Sequence, residues 1–191
     1  MNYNYNSTGS PLTSSSHHTT TPAFVTQWNI FGLRHRIAEL QLVVSEKLPK
    51  AIMLQEMLLP DNINPRFLNK YIWYTKQGPH VPNRNGVAVA VDRDTPHKII
   101  PISTDLQAIA VEIDSDMKCP IVSVYIPPKG IGAKCLEQQL SELLRQIPYP
   151  IILMGDFNAS SQHWGSNTTD DRGRAILKFA EEYDLVSMNV P

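Results

Sequence analysis

Four short apolar segments follow one another between residues 86 and 127: GVAVAVDR, HKIIPIS, AIAVEID and PIVSVYIP. Only a few residues separate each from the next, and no helical period intervenes, so this stretch predicts a run of consecutive strands. GVAVAVDR alternates with a period of two, as a half-buried strand does, and NRNG (83–86) ahead of it is a turn signal. Strands alternate with helices on both sides of this run. AFVTQWN opens the folded part near Ala23. Leu33, Ile37, Leu40 and Val44 recur at helical spacing and predict a helix over 33–46, which Pro49 ends. AIMLQE (51–56) reads as a buried strand, PDNINP as a loop and YIWYT (71–75) as another strand. Leu136, Leu140, Leu143, Leu144 and Ile147 form one face of a helix over 133–146. IILMGDFN is again an apolar strand. Ile176, Phe179 and Tyr183 mark a helix over 174–183, and LVSMNV begins a further strand. Strand–helix alternation at both ends with a meander between implies two packed sheets with helices outside. No internal repeat is visible.

Residues 1–22, MNYNYNSTGSPLTSSSHHTTTP, are low-complexity and have little apolar surface to bury, so a disordered tail is expected there. The remainder, 23–191, has the length of one domain. Hydrophobic residues at 42% and charged residues at 18% place it among globular chains. The net charge of −1 excludes a global basic bias, so any attraction to phosphate must be local. Cys119 and Cys135 form no ligand-spaced pair and read as two reduced thiols. No apolar run approaches the roughly 20 residues that span a bilayer. No secretory signal is visible, so an intracellular protein without a membrane partner is expected. Asn6, Asn158 and Asn167 lie in N-x-[ST] sequons, read as chance matches.

Three strands end in acidic or amide side chains: TQWN at Asn29, MLQE at Gln55 and Glu56, and LMGDFN at Asp156 and Asn158. Polar groups gathered at one end of neighbouring strands make a floor for a charged substrate. On extended backbone Asp156 and Asn158 face the same way. Such a carboxylate can orient or deprotonate a water, and such an amide can donate to a developing equatorial oxygen on phosphorus. Glu56 is a hard oxygen ligand of the kind Mg²⁺ prefers. Taken singly, Asn29 reads equally as a turn residue and Glu56 as a solvated one; their joint order with GDFN carries the reading. Tyr125 ends the strand SVYIPP, where its hydroxyl can reach a phosphate oxygen or lie at the surface. His163, in SSQHWGS, is a candidate phosphate contact or a surface histidine. Trp164 can wedge into a duplex or pack beneath its loop. Arg172 and Arg174 flank Gly173 and can bind phosphate beside helix N-terminal amides, or be solvated charges. Arg34 and Arg36, with His35, read similarly.

The order QWN, LQE, SVYIPP, GDFN resembles the exonuclease–endonuclease–phosphatase superfamily. GDFNA followed by HWGS, RGR and a helix leading to DLVSMN resembles the endonuclease domain of non-long-terminal-repeat retrotransposons, especially the jockey-like group. The likeness runs from about Thr26 to Asn189. It implies a four-layer α/β sandwich, two mixed β-sheets flanked by helices. It implies Glu56 as principal Mg²⁺ ligand (Mn²⁺ as an alternative), with Asn29 holding the acidic centre. Tyr125 becomes a phosphate contact, and Asp156 and Asn158 the water-orienting and transition-state pair. It further implies a double-stranded DNA substrate, nicked to free a 3′-hydroxyl for reverse transcription, a fused reverse transcriptase domain in the full element, and a nuclear setting when chromosomal DNA is the target. The superfamily's closing Ser-Asp-His type motif does not occur before Pro191. The domain is therefore expected to be incomplete at its C-terminus, its last strands missing, with little or no nuclease activity. Two other readings accompany this one. A phosphatase or RNA-directed member of the same superfamily keeps the fold and changes the substrate. A non-catalytic nucleic-acid-binding remnant keeps salt-dependent affinity without turnover.

Overall fold

A computed structural model describes residues 25–59, 68–77, 86–115 and 118–189. The low-complexity tail, the PDNINP loop and most of the NRNG turn lie outside these.

Eight strands and three helices follow in the order β1 (Val25–Asn29), α1 (Leu33–Lys47), β2 (Ala51–Gln55), β3 (Tyr71–Lys76), β4 (Val87–Asp92), β5 (His97–Ile100), β6 (Gln107–Asp114), β7 (Lys118–Tyr125), α2 (Ala133–Leu144), β8 (Ile152–Asp156) and α3 (Asp171–Glu182). They form two four-stranded sheets, ordered β1-β2-β4-β3 and β5-β6-β7-β8. In the first sheet β1 and β2 are parallel while β4 joins both β2 and β3 antiparallel. The second sheet repeats this plan in reverse chain order, with β8 parallel to β7 and antiparallel pairs beyond. Each parallel pair is joined through a helix, α1 or α2, as parallel strands require.

Alternate side chains of the inner strands feed different layers. Ala51 and Met53 of β2 meet Val111 and Ile121 between the sheets. Ile52 and Leu54 face outward onto Leu33, Leu40 and Val44 of α1. On the far side, Ala108, Ala110, Val122 and Val124 pack under Leu136, Leu140, Leu143 and Phe179 of α2 and α3. The result is helix, sheet, sheet, helix: the expected four-layer α/β sandwich.

Three expectations are corrected. The β4 strand, read as half-buried, is buried along its whole length. Its small alternating Ala residues lie beneath α1, and a strand covered on both faces reads as continuously apolar. The last helix starts at Asp171, three residues before the expected 174, because the Asp170 side chain accepts a hydrogen bond from Gly173 N and caps it. No strand forms over 185–189, where Val186 and Met188 are exposed and no neighbouring strand takes up the backbone hydrogen bonds.

Beneath α1's end, the buried Tyr71 hydroxyl donates to Pro49 O at 2.7 Å. Burial, helped by Asp92, pushes the phenol up to about 12. Tyr71→Phe is expected to cost about 1–2 kcal/mol in denaturant melts, since Pro49 O is left unpartnered. The raised folded value sets the sign with pH. Tyr71's contribution is intact below a tyrosine's ordinary value of 10.0 and is lost as pH rises through about 12, so alkaline melts should fall less steeply in the variant.

Candidate active site

Strand register brings distant segments to one place. Asn29 pairs with Gln55 at the end of β1 and β2, and Tyr125 pairs with Asp156 at the end of β7 and β8. Each parallel pair points its C-terminal ends to the same edge, and β8 lies against β1 and β2 across the two sheets.

Asn29 links the two halves. Its Nδ2 donates to Glu56 Oε1 at 3.0 Å and to Asp156 Oδ2 at 2.7 Å. Two acceptor-only carboxylates fix which way this amide faces. Its Oδ1 takes the Phe31 amide at 3.3 Å, so donors and acceptor are all engaged. Glu56 and Asp156 thus stand side by side, half-buried, around one small dipole.

The chain turns sharply around this cluster. Phe31 (φ 44°), Glu56 (51°), Leu58 (49°) and Asn158 (46°) all adopt left-handed backbone without being glycine. Each such residue costs about 1 kcal/mol, and strain of this kind gathers where function requires it. The turns are laced together by Ile30 N to Gln55 O at 3.0 Å, Gly32 N to Glu56 O at 2.8 Å and Leu33 N to Met57 O at 3.0 Å.

Tyr125 is buried beside the carboxylates at the end of β7. Burial first, then the Glu56 and Asp156 charges, push its phenol far above the ordinary range, so Oη keeps its proton and acts as a donor. Below the cluster the fully buried Gln55 accepts from Gln27 and donates to Ser123 Oγ at 3.0 Å, stitching one sheet to the other. Sequence reasoning gave Ser123 and Gln27 no role. The only available signal was a lone serine inside the apolar run IVSVY.

Asn158 departs from its expected extended geometry. Beyond the end of β8 it turns left-handed, its amide N bonds Asp156 Oδ1 at 2.9 Å, and its Nδ2 donates to Ile126 O at 3.0 Å. The pair is an Asx-type turn beside the cluster rather than two parallel side chains. Arg172 is also corrected as an open phosphate ligand. Its guanidinium donates to Pro127 O at 2.9 Å and Phe157 O at 3.1 Å, clamping the segments that follow β7 and β8. Arg174 lies exposed, bonded to Asp171 and to Thr169 O. The Trp164 indole N–H turns back onto Ala159 O at 3.1 Å, which ties the ring to its own loop. His163 is exposed in a short 3-10 turn, and its backbone N bonds Ser161 Oγ. Arg34 and His35 are exposed in the first turn of α1, while Arg36 pairs with Glu39.

The donor set suits a small divalent cation. Among the described residues no group of three or more Asp, Glu, His or Cys side chains converges as a metal cage. Mg²⁺ does not need one, because it keeps several waters and takes one or two carboxylates plus phosphate oxygens. Glu56 and Asp156, like charges held together by one amide, fit that demand.

Two sheets packed face to face, helices outside, and a carboxylate–amide cluster where parallel strands of both sheets end define the exonuclease–endonuclease–phosphatase fold. Residues 119–191 match the family model described as endonuclease-reverse transcriptase. The chain is 24% identical over 171 residues to the probable RNA-directed DNA polymerase from transposon X-element of Drosophila melanogaster, covering 87% of this chain and 18% of that protein. Among solved structures it is similar to the endonuclease domain of TRAS1, a telomere-specific non-LTR retrotransposon, at 22% identity and a TM-score of 0.74, covering 90% of this chain and 76% of the other. It is also similar to an AP endonuclease from Archaeoglobus fulgidus, at 17% identity and a TM-score of 0.60, covering 83% and 70% of the two chains. The resemblance to retrotransposon endonucleases read from the sequence is borne out.

Proposed function

We propose that this chain is part of a Mg²⁺-dependent phosphodiesterase that nicks double-stranded DNA, the endonuclease segment of a non-LTR retrotransposon polyprotein whose reverse transcriptase lies elsewhere in the element. The observation that carries this is the single amide of Asn29 bonded to both Glu56 and Asp156 at 3.0 and 2.7 Å. Two adjacent carboxylates around it form an anionic seat that a divalent cation neutralises.

Glu56 would hold the cation (Mg²⁺, with Mn²⁺ as a substitute), which supplies polarisation of the phosphoryl oxygen and support for the leaving oxygen. Asp156 orients the attacking water and takes its proton at the carboxylate. Asn29 keeps both carboxylates in position. Tyr125 Oη, still protonated, donates to a phosphate oxygen of the bound substrate. Asn158 has one amide hydrogen beyond its bond to Ile126 O and offers it to the same phosphate. His163 and Trp164, on the loop after β8, and Arg174 border the path of the DNA backbone. The DNA substrate draws its support from the retrotransposon relatives, and a nuclear location goes with it.

The test combines cation binding with turnover. Mg²⁺ should raise the melting temperature of the wild-type chain and leave Glu56→Gln unmoved, because ligand that binds only the folded state stabilises it. Relaxation of supercoiled plasmid, at whatever rate, should require Mg²⁺ and vanish with chelator. Equal Mg²⁺ stabilisation of wild type and Glu56→Gln would overturn the assignment. Turnover of a phosphomonoester with no action on plasmid would move the substrate to the phosphatase branch.

A further inference from the structure

Phe31 is 72% exposed. It also has left-handed backbone, which a phenylalanine adopts at a cost. The fold therefore gains little burial from this ring and bears a conformational penalty for it. A glycine or asparagine would meet the same turn more cheaply. The position is nonetheless held firmly. Phe31 N bonds Asn29 Oδ1, the amide that grips both carboxylates, and the next residue's N bonds Glu56 O at 2.8 Å. The ring thus stands on a turn bonded directly to the one that carries the candidate cation ligand. Three and four residues on, Arg34 and His35 are exposed in the first turn of α1. Neither has a side-chain hydrogen bond or ion pair among the described residues.

An outward aromatic next to a phosphate seat, with an unpaired cation on the following turn, is the footprint of a nucleic-acid strand: rings meet bases, cations meet the backbone. A phosphomonoester of a sugar or inositol offers no planar π face for the ring to stack on. We propose that Phe31 is a nucleotide-contact residue, its ring bearing on a base next to the phosphate held at Glu56 and Asp156, with Arg34 on the adjoining phosphate. This rests on the phosphodiesterase reading above and narrows it to substrates that carry bases.

The experiment measures affinity by fluorescence anisotropy at fixed salt. The probes are a labelled oligothymidylate strand and a base-free tetrahydrofuran strand of the same length and charge. Phe31→Ala is expected to weaken oligothymidylate binding on the order of tenfold, the size of one lost base–aromatic stack. It should leave the base-free strand unaffected, and Phe31→Trp should keep wild-type affinity. Phe31→Gly provides the control for folding: its melting temperature should equal or exceed the wild type's while its oligothymidylate affinity falls like that of Phe31→Ala. Wild-type binding with no loss in Phe31→Ala overturns this proposal and leaves the parent reading standing. An equal loss on both strands overturns it too, since the ring would then be shaping the turn and not meeting a base. Failure of the wild-type chain to bind either strand overturns this proposal and leaves the double-strand reading to its own Mg²⁺ and plasmid test.

Discussion

Gly155→Ala should strip the fold of a large share of its stability and lower its urea midpoint steeply. Gly155 pairs with Val124 in the parallel β7–β8 ladder and has φ +155°. A Cβ built there would sit 1.8 Å from Val124 O and 2.8 Å from Val124 C. Backbone atoms in a ladder cannot swing aside as a flexible side chain can, so relief requires pulling β8 off the sheet. Changes of that class cost upward of about 4 kcal/mol, a large share of the ~5–15 kcal/mol that holds a domain folded. Circular dichroism and a urea melt would read it. A cooperative transition close to the wild type's would show that β8 relaxes without leaving β7, and that the close approach is not essential. In that event the next residue, Asp156, would still shift, so folding and site geometry separate cleanly in this variant.

Asp156→Asn is expected to do the opposite: keep the fold and lose the chemistry. The replacement retains an oxygen that can accept from either Asn29 Nδ2 or Asn158 N, the two bonds the carboxylate now receives at 2.7 and 2.9 Å. It also removes one of two like charges set side by side, so the melting temperature should hold or rise. Mg²⁺-dependent plasmid relaxation should drop at least about a hundredfold, because neither the cation seat nor the water-orienting base survives. An unchanged rate would remove Asp156 from the chemistry. A large fall in melting temperature would mean that the carboxylate serves the β7–β8 turn instead.

Strand positions were legible because apolar runs bounded by turn residues mark strands locally, and α1 was legible from its period. What escaped depended on contacts distant in sequence. Nothing in GVAVAVDR reveals that β4 is covered on both faces, since the covering helix α1 lies some forty residues earlier. Gly173 looked like a helix boundary. It lies inside α3 because a Cβ there would meet Ser160 O at 1.9 Å, so the glycine reports a close approach and not an end. For the site, strand-end polarity nominated Asn29, Glu56 and Asp156, and the structure joins these three by hydrogen bonds. It misjudged Arg172, because whether a guanidinium faces solvent or two carbonyls is decided by the segments it clamps. Phe31 was passed over, since backbone handedness leaves little trace in a single residue's identity.

Glu56 follows a strand of one sheet and Asp156 ends a strand of the other, so the gap between the two carboxylates is a dimension of the interior. Side-chain volume at Met53, Val111 and Ile121 sets how far apart the sheets stand and how they slide. A methylene added or removed there reaches the carboxylate pair as a change of bite, as the thickness of a hinge pin alters the closing of two jaws. Evolution can therefore retune the spacing of these two charges from inside the molecule, with every residue at the rim left untouched.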